Sequence, residues 1–137
     1  MRAQELPSRV RAFFQLEGPA EFLGGAGGFS GACFWKLSQG DECWGIRRWP
    51  REHPTVSRLK WIHAVLKHSR GQGFPWLPAM RTSPAGESFT QDLGYLWECS
   101  CWMPGTAALG EDPSSLRIAT AMEALARFHQ SVVEFLP

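Results

Sequence analysis

The residues whose spacing most directly indicates chemistry are the glycines of the stretch 24–31, which reads GGAGGFSG. Glycine adopts positive φ freely, so such a turn lets the backbone approach an anion and point its N–H groups at it. A G-x-S-x-G nucleophile elbow is excluded because Ala32 stands at the last glycine position. A dinucleotide-binding loop is excluded because it needs a following helix, whereas a strand is predicted here. The residues themselves leave open a phosphate-covering loop or a flexible hairpin loop.

The four cysteines and four histidines do not follow a metal-binding pattern. Structural zinc sites usually show two close cysteine pairs, and here Cys99 and Cys101 form a single C-x-C. The histidines have no ligand spacing with the cysteines or the carboxylates. The N-terminus lacks the apolar segment of a secretory signal, so we expect reduced thiols in a cytoplasmic protein.

Composition narrows the class of partner. The chain has 137 residues, with Lys+Arg 14 against Asp+Glu 13. This balance offers no basic stripe for a nucleic acid, so the seven Trp are better explained by packing than by base stacking. No apolar run approaches the roughly 18 residues that a membrane-spanning helix needs. The sequence predicts neither a nucleic-acid nor a membrane partner.

The elements that must position the glycine stretch alternate between strand and helix patterns. A helix is predicted over 8–15, and a second one runs from an N-cap at Thr55 to about Ser69. The segments with strand character are 19–23, 32–37, 42–48, 76–81, 87–91 and 94–102. We therefore predict an α+β fold of about five antiparallel strands with one inserted helix.

The last part of the chain is predicted to be a connector and a helix. Pro104 and Gly105 end the final strand, and Asp112 is predicted to cap the helix, with Pro113 in its first turn. Apolar residues then recur at helical spacing as far as Leu136. This helix is apolar enough to need a partner surface.

This order of elements resembles the small N-terminal lobe of the kinase-like fold, and more specifically the aminoglycoside phosphotransferase and homoserine-kinase-like family. The resemblance covers roughly residues 18–130 and rests on several short motifs in order. These are 27–32 (GGFSGA), 46–50 (IRRWP), 73–75 (GFP), 97–98 (WE) leading to 103–105 (MPG), and 125–129 (LARFH). It implies an N-terminal helical extension over 1–17, a nucleotide-binding lobe over 18–103, and a connector with the first large-lobe helix over 104–137.

The resemblance implies that the glycine stretch covers the phosphates of a bound nucleotide. The residues concerned are Gly25, Gly27, Gly28, Phe29, Ser30 and Gly31. Gly25 and Gly27 match the first two positions of the G-x-G-x-x-G pattern, whereas Ser30 stands at the third. Backbone groups of Cys101 and Met103, in the connector region, would bind the adenine edge.

Arg47 stands where the family has a lysine that pairs with phosphates and with a glutamate on the next helix. Arginine can hold phosphate bidentately, and Arg48 beside it should point to the opposite face. The helix predicted over 55–69 contains no Asp or Glu, so the usual acid is missing. His63 is the one side chain proposed in its place, with an ordinary boundary histidine as the alternative reading.

Phosphoryl transfer in this fold needs an Asp for the attacking hydroxyl and an Asn plus a second Asp for Mg²⁺. The chain contains no Asn, and its only Asp residues are Asp41, Asp92 and Asp112, in predicted turns or a helix cap. We therefore predict no catalytic residue and no metal ligand in this chain. ATP and Mg²⁺ are implied as cofactors by the resemblance alone.

Taken together, the resemblance implies a truncated small-molecule kinase that would bind ATP in its N-lobe, with the catalytic large lobe missing from this chain. A small-molecule acceptor would bind in the full-length parent. The alternatives are a non-catalytic kinase-like binding module, or a subunit whose last helix docks on a protein partner that supplies the large lobe. We expect no ATP-dependent phosphorylation by the purified chain.

Overall fold

The computed structural model describes residues 5–25 and 29–135. The elements in chain order are α1 (Ser8–Phe14), β1 (Ala20–Gly24), β2 (Cys33–Gln39), β3 (Glu42–Arg48), α2 (Val56–Gly71), β4 (Phe89–Asp92), β5 (Tyr95–Cys101) and α3 (Ser115–Val132). The chain forms two compact units. The sheet unit comprises the residues up to Leu59 together with Pro78–Trp102, and the helical unit comprises Lys60–Leu77 together with the residues from Met103 onward. The predicted α+β class is confirmed.

The five strands form one antiparallel sheet in the order β1-β2-β3-β5-β4. A tight turn at Gly40, whose φ is 61°, joins β2 to β3. Successive side chains in a strand point to opposite faces of the sheet. We call the face that carries Trp35, Ile46 and Trp97 the core face, and the face that carries Phe34, Arg47 and Glu98 the site face.

The core face is covered by the N-terminal residues. α1 contributes Val10 and Phe14, both fully buried. The remaining buried members of this cluster are Leu6, Leu16, Trp35, Leu37, Ile46, Trp97 and Cys99. The ring of Trp35 lies 5.3 Å from that of Trp97 and 5.0 Å from that of Phe22, measured between centroids. The predicted N-terminal helix is therefore part of the core of the sheet unit.

The strand predicted over 76–81 is wrong. Within this segment the structure has a single bridge, between Met80 and Ser100. The amide of Arg81 donates to the carbonyl of Cys99 at 2.8 Å, and the amide of Cys101 donates to that of Ala79 at 2.9 Å. Pro78 has no N–H to donate, which limits the segment to this short contact along β5.

One predicted helix cap is confirmed and the other is wrong. The hydroxyl of Thr55 accepts a hydrogen bond from the amide of Arg58 at 3.2 Å, as expected for the N-cap of α2. At α3 the cap is Ser114, whose hydroxyl accepts from the amide of Arg117. Asp112 lies two residues further out and instead pairs with the guanidinium of Arg117 at 2.9 Å.

Within the helical unit, α3 packs only lightly. The ring of Phe128 lies 5.7 Å from that of Phe74, and the guanidinium of Arg127 lies 4.7 Å from the ring of Trp76. No residue of α3 is buried, and its apolar side chains include Leu116 and Met122, 77% and 57% exposed. Among the described residues, no helix is both long and apolar enough to cross a membrane.

Candidate functional site

One row of the sheet carries the candidate site. In the strand register, Gly24 lies opposite Phe34, Phe34 opposite Arg47, and Arg47 opposite Glu98. Adjacent strands are about 4.8 Å apart, so the backbone where the glycine stretch begins lies about 10 Å from that of Arg47. The row brings together the start of the predicted phosphate loop, the predicted phosphate-binding arginine and a carboxylate.

The guanidinium of Arg47 is held on several sides. Its Nη1 lies 3.1 Å from Oε1 of Glu98. The rings of Phe34 and Trp49 lie 4.9 Å and 4.7 Å from its central carbon, which are cation–π distances. The side chain of Arg47 is 37% exposed, whereas that of Glu98 is 11% exposed. A half-exposed cation is thus anchored to a nearly buried anion.

Two donors in this cluster lack an acceptor. Nε of Arg47 and Nε1 of Trp49 are buried and have no hydrogen-bond partner among the described residues. Buried polar atoms are usually paired in folded proteins, with protein, water or ligand. Both donors favour an oxygen acceptor, and an anion suits a guanidinium best.

Arg48, next in sequence, lies on the core face. Its guanidinium lies 4.5 Å from the ring of Tyr95 and 5.8–5.9 Å from those of Trp35 and Trp97. Its Nη2 donates to Sγ of Cys33 at 3.1 Å. These contacts belong to the packing of the sheet unit, so the two arginines have separate surroundings.

The glycine stretch is described at its two ends, and the predicted residues Gly27 and Gly28 lie outside the described residues. Gly31 has a φ of 72°, and a Cβ there would lie 3.6 Å from Pro50. Gly25 is an exposed turn residue, and the ring of Phe29 is fully exposed. The hydroxyl of Ser30 accepts from the amide of Ala32 at 3.4 Å. The described ends form an exposed turn rather than part of the core.

The end of β5 carries the residues predicted to meet an adenine. The amide of Cys101 is used by the carbonyl of Ala79, so a contact from Cys101 to an adenine falls to its carbonyl. The next residue, Trp102, lies against Gly45, where a Cβ would come within 3.3 Å of the indole. The ammonium of Lys36 lies 4.8 Å from the same ring. Met103 follows and is 37% exposed.

The sequence leaves the acid partner of Arg47 open and offers only His63 in that role. The structure gives Glu98, on β5, as the carboxylate that pairs with Arg47. His63 is buried within α2. In the sequence, Trp97-Glu98 is only one motif of the resemblance, because nothing there shows that β3 pairs with β5 rather than with β4.

The remaining titratable groups do not form a metal site. No cluster of three or more His, Cys, Asp or Glu residues that could hold a metal ion occurs in the part of the chain that the structure describes. The thiols of Cys33, Cys43, Cys99 and Cys101 are free. Burial raises the pKa of Cys99 from 9.0 to about 12, with smaller effects from Arg81, which lowers the pKa, and from Cys101 and Glu98, which raise it. That thiol is therefore protonated at neutral pH.

No protein-family model and no curated protein matches the sequence. Solved structures do match. A spectinomycin phosphotransferase, solved with ADP and spectinomycin, aligns over 97% of this chain at 10% identity and a TM-score of 0.71. An aminoglycoside phosphotransferase from Alicyclobacillus acidocaldarius aligns over 98% of the chain at 16% identity and a TM-score of 0.70.

These matches concern the fold and a part of the longer proteins. The chain spans about two fifths of the length of each, 39% and 37%. The five-stranded sheet with its helices matches the N-terminal lobe in these kinase-like structures. The resemblance predicted from the sequence motifs is thus confirmed at the level of the fold.

Proposed function

We propose that this chain is the nucleotide-binding part of an ATP-dependent phosphotransferase that acts on a hydroxyl group of a small molecule. The observation that carries the proposal is the row Gly24, Phe34, Arg47 and Glu98 on the site face. It sets a held guanidinium beside a glycine-rich turn, which is a combination suited to phosphate oxygens. The likeness to a phosphotransferase solved with ADP supports the same ligand class.

The residues present fit the phosphates of a nucleotide. Arg47 would bind phosphate oxygens through the accessible part of its guanidinium, since the side chain is 37% exposed. The backbone of the glycine stretch, including Gly25, Phe29, Ser30 and Gly31, would cover the phosphates, together with Gly27 and Gly28. For the adenine edge we propose the carbonyl of Cys101 and the amide of Met103.

The residues present do not fit a Mg²⁺ site. Along residues 5–25 and 29–135, no three acidic, His or Cys side chains come together as ligands. In the proposed parent enzyme, Mg²⁺ and the acceptor alcohol would be bound by a large lobe, either as further chain or as a separate protein partner. A cytoplasmic location would suit the free thiols.

The test is nucleotide binding by the full chain, measured by isothermal titration calorimetry with ADP and a non-hydrolysable ATP analogue. Arg47→Ala should weaken binding about tenfold or more, because a charged hydrogen bond to phosphate is lost. Arg9→Ala is the matched control, since it removes the same charge from a side chain that is 84% exposed on α1 and pairs at 3.7 Å with Asp92, away from the site face. No measurable nucleotide binding by the unaltered chain, or equal nucleotide binding by the two variants, would overturn the proposal.

A non-catalytic nucleotide-binding module is the second candidate. The observation that favours it is that the carboxylate paired with Arg47 lies on a strand and not on a helix. A residue within a sheet cannot move toward or away from its partner as a residue on a helix can, so this ion pair cannot be made and broken by movement of a helix. Adding the large lobe of a related phosphotransferase, with ATP and an alcohol acceptor, separates the two. Phosphorylated acceptor supports the enzyme part, whereas tight nucleotide binding with no product supports the module.

A further inference from the structure

We propose that Glu98 is a positioning residue that holds Arg47 in place to bind phosphate. It would take the role of the glutamate that the family carries on the next helix, because α2 contains no Asp or Glu. This inference rests on the proposed function. It goes beyond it by assigning the positioning role to a residue of the sheet. Three observations carry it: the ion pair, the aromatic clamp on the guanidinium, and the unpartnered donors beside it.

The ion pair fixes one side of the guanidinium. Glu98 lies directly opposite Arg47 on the neighbouring strand, and their side chains meet at 3.1 Å. Both residues lie within strands of the sheet, and β5 is bordered by β3 on one side and β4 on the other. A carboxylate this buried is costly unless it is paired, so the contact with Arg47 is strongly preferred.

The aromatic clamp limits rotation of the guanidinium. Phe34 and Trp49 both lie within 5 Å of its central carbon. An arginine on an open surface loses much of its rotamer freedom when it binds a ligand. Here the carboxylate and the two rings restrict the side chain beforehand, which lowers the entropy lost on binding.

The unpartnered donors indicate that the pair does not complete the site. Arg47 has five N–H groups, and Nη1 faces Glu98. Its Nε and the Nε1 of Trp49 are buried with no acceptor among the described residues. These buried donors show that the described residues offer the guanidinium no acceptor besides Glu98, and the exposed 37% of the Arg47 side chain is where a phosphate, whose oxygens are acceptors only, would bind.

A simple charge argument separates positioning from bystander roles. A carboxylate near a phosphate repels it, because both groups are negatively charged. If Glu98 were only a neighbour, Glu98→Gln would therefore tighten anion binding. If Glu98 positions Arg47, the same change weakens binding although a negative charge is removed. The direction of the change in anion affinity in Glu98→Gln therefore distinguishes the two roles.

The experiment measures binding of ADP and of inorganic tripolyphosphate to the full chain by isothermal titration calorimetry. Glu98→Gln is compared with Glu42→Gln, which removes the same charge at the exposed far end of β3. We expect Glu98→Gln to weaken both ligands about tenfold and Glu42→Gln to leave them unchanged. Glu98→Asp retains the charge but is one methylene shorter, and it should also weaken both ligands. Thermal unfolding identifies any variant that fails to fold, and Glu98→Asp then decides alone.

The outcomes distinguish this inference from the function on which it rests. ADP binding that is equal or tighter in the Glu98 variants overturns the inference and leaves nucleotide binding standing. Tripolyphosphate binding that depends on Glu98, without ADP binding, supports the inference and overturns the nucleotide proposal. Binding of neither ligand by the unaltered chain overturns both.

Discussion

The two faces of the sheet use the same residue type in different ways. Arg47 and Arg48 are consecutive on β3, yet one pairs with a carboxylate on the site face and the other lies over aromatic rings on the core face. The difference arises from strand alternation, because successive side chains leave opposite sides of a strand. Burial then decides the role: the core face is closed by α1, whereas Arg47 is 37% exposed.

The largest expected effect is on the core face. Trp35→Ala should cost about 3–5 kcal/mol of the free energy of unfolding, since it removes a fully buried ring and leaves a cavity. Urea denaturation followed by circular dichroism measures this loss. Phe34→Ala, one residue away on the site face and only partly buried, is the matched control and should cost clearly less. Equal losses would mean that the two faces are not different in packing.

Removal of Arg48 tests the core-face arginine. Arg48→Ala should lower the free energy of unfolding by about 1–2 kcal/mol, because cation–π contacts and the packing of its aliphatic stem are lost. The same variant, at temperatures where it is folded, should bind ADP as the unaltered chain does. A stable Arg48→Ala with weakened ADP binding would contradict the separation of the two arginines.

Arg47→Ala should weaken ADP binding, in contrast to Arg48→Ala. We also expect it to lower the free energy of unfolding by about 1–2 kcal/mol, because the nearly buried carboxylate of Glu98 loses its cation. Isothermal titration calorimetry with ADP on both variants measures the contrast, and thermal unfolding shows the temperatures at which each is folded. A folded Arg47→Ala that binds ADP as the unaltered chain does would show that Arg47 is mainly a structural residue.

The thiols provide the mildest test of the two faces. Cys99 lies fully buried on the core face, whereas Cys43 is partly buried on β3 with its side chain on the site face. The raised pKa of Cys99 keeps it in the unreactive thiol form. Labelling with N-ethylmaleimide, read by peptide mass spectrometry, should modify Cys43 well before Cys99. Denaturant should remove the difference.

The same pKa shift predicts a direction for stability at high pH. The unfolded chain loses the Cys99 proton near pH 9, while the folded chain holds it to about 12. Its contribution to stability is therefore complete below pH 9 and declines as the pH rises from 9 to about 12. Urea denaturation at pH 8 and pH 10 should show a smaller decline in Cys99→Ala than in the unaltered chain.

Local patterns in the sequence predicted much of the fold. The bounds of β3 and the Thr55 cap of α2 follow from strand composition and from capping chemistry, which act between near neighbours. The prediction failed where competing local options were equally good. Asp112 and Ser114 are both good caps, and the segment 76–81 has strand composition although Pro78 restricts its pairing.

The sequence alone determined the glycine stretch, the arginine at position 47, and the absence of any acid in α2 and of any Asn in the chain. These are properties of residue type and spacing, and they suffice to suggest phosphate chemistry. Only the tertiary structure decided that Glu98 is the carboxylate beside Arg47. In the chain, β3 and β5 are separated by α2 and β4, yet they are neighbours in the sheet. Such non-local pairing depends on burial of the whole core face, and no short motif encodes that burial.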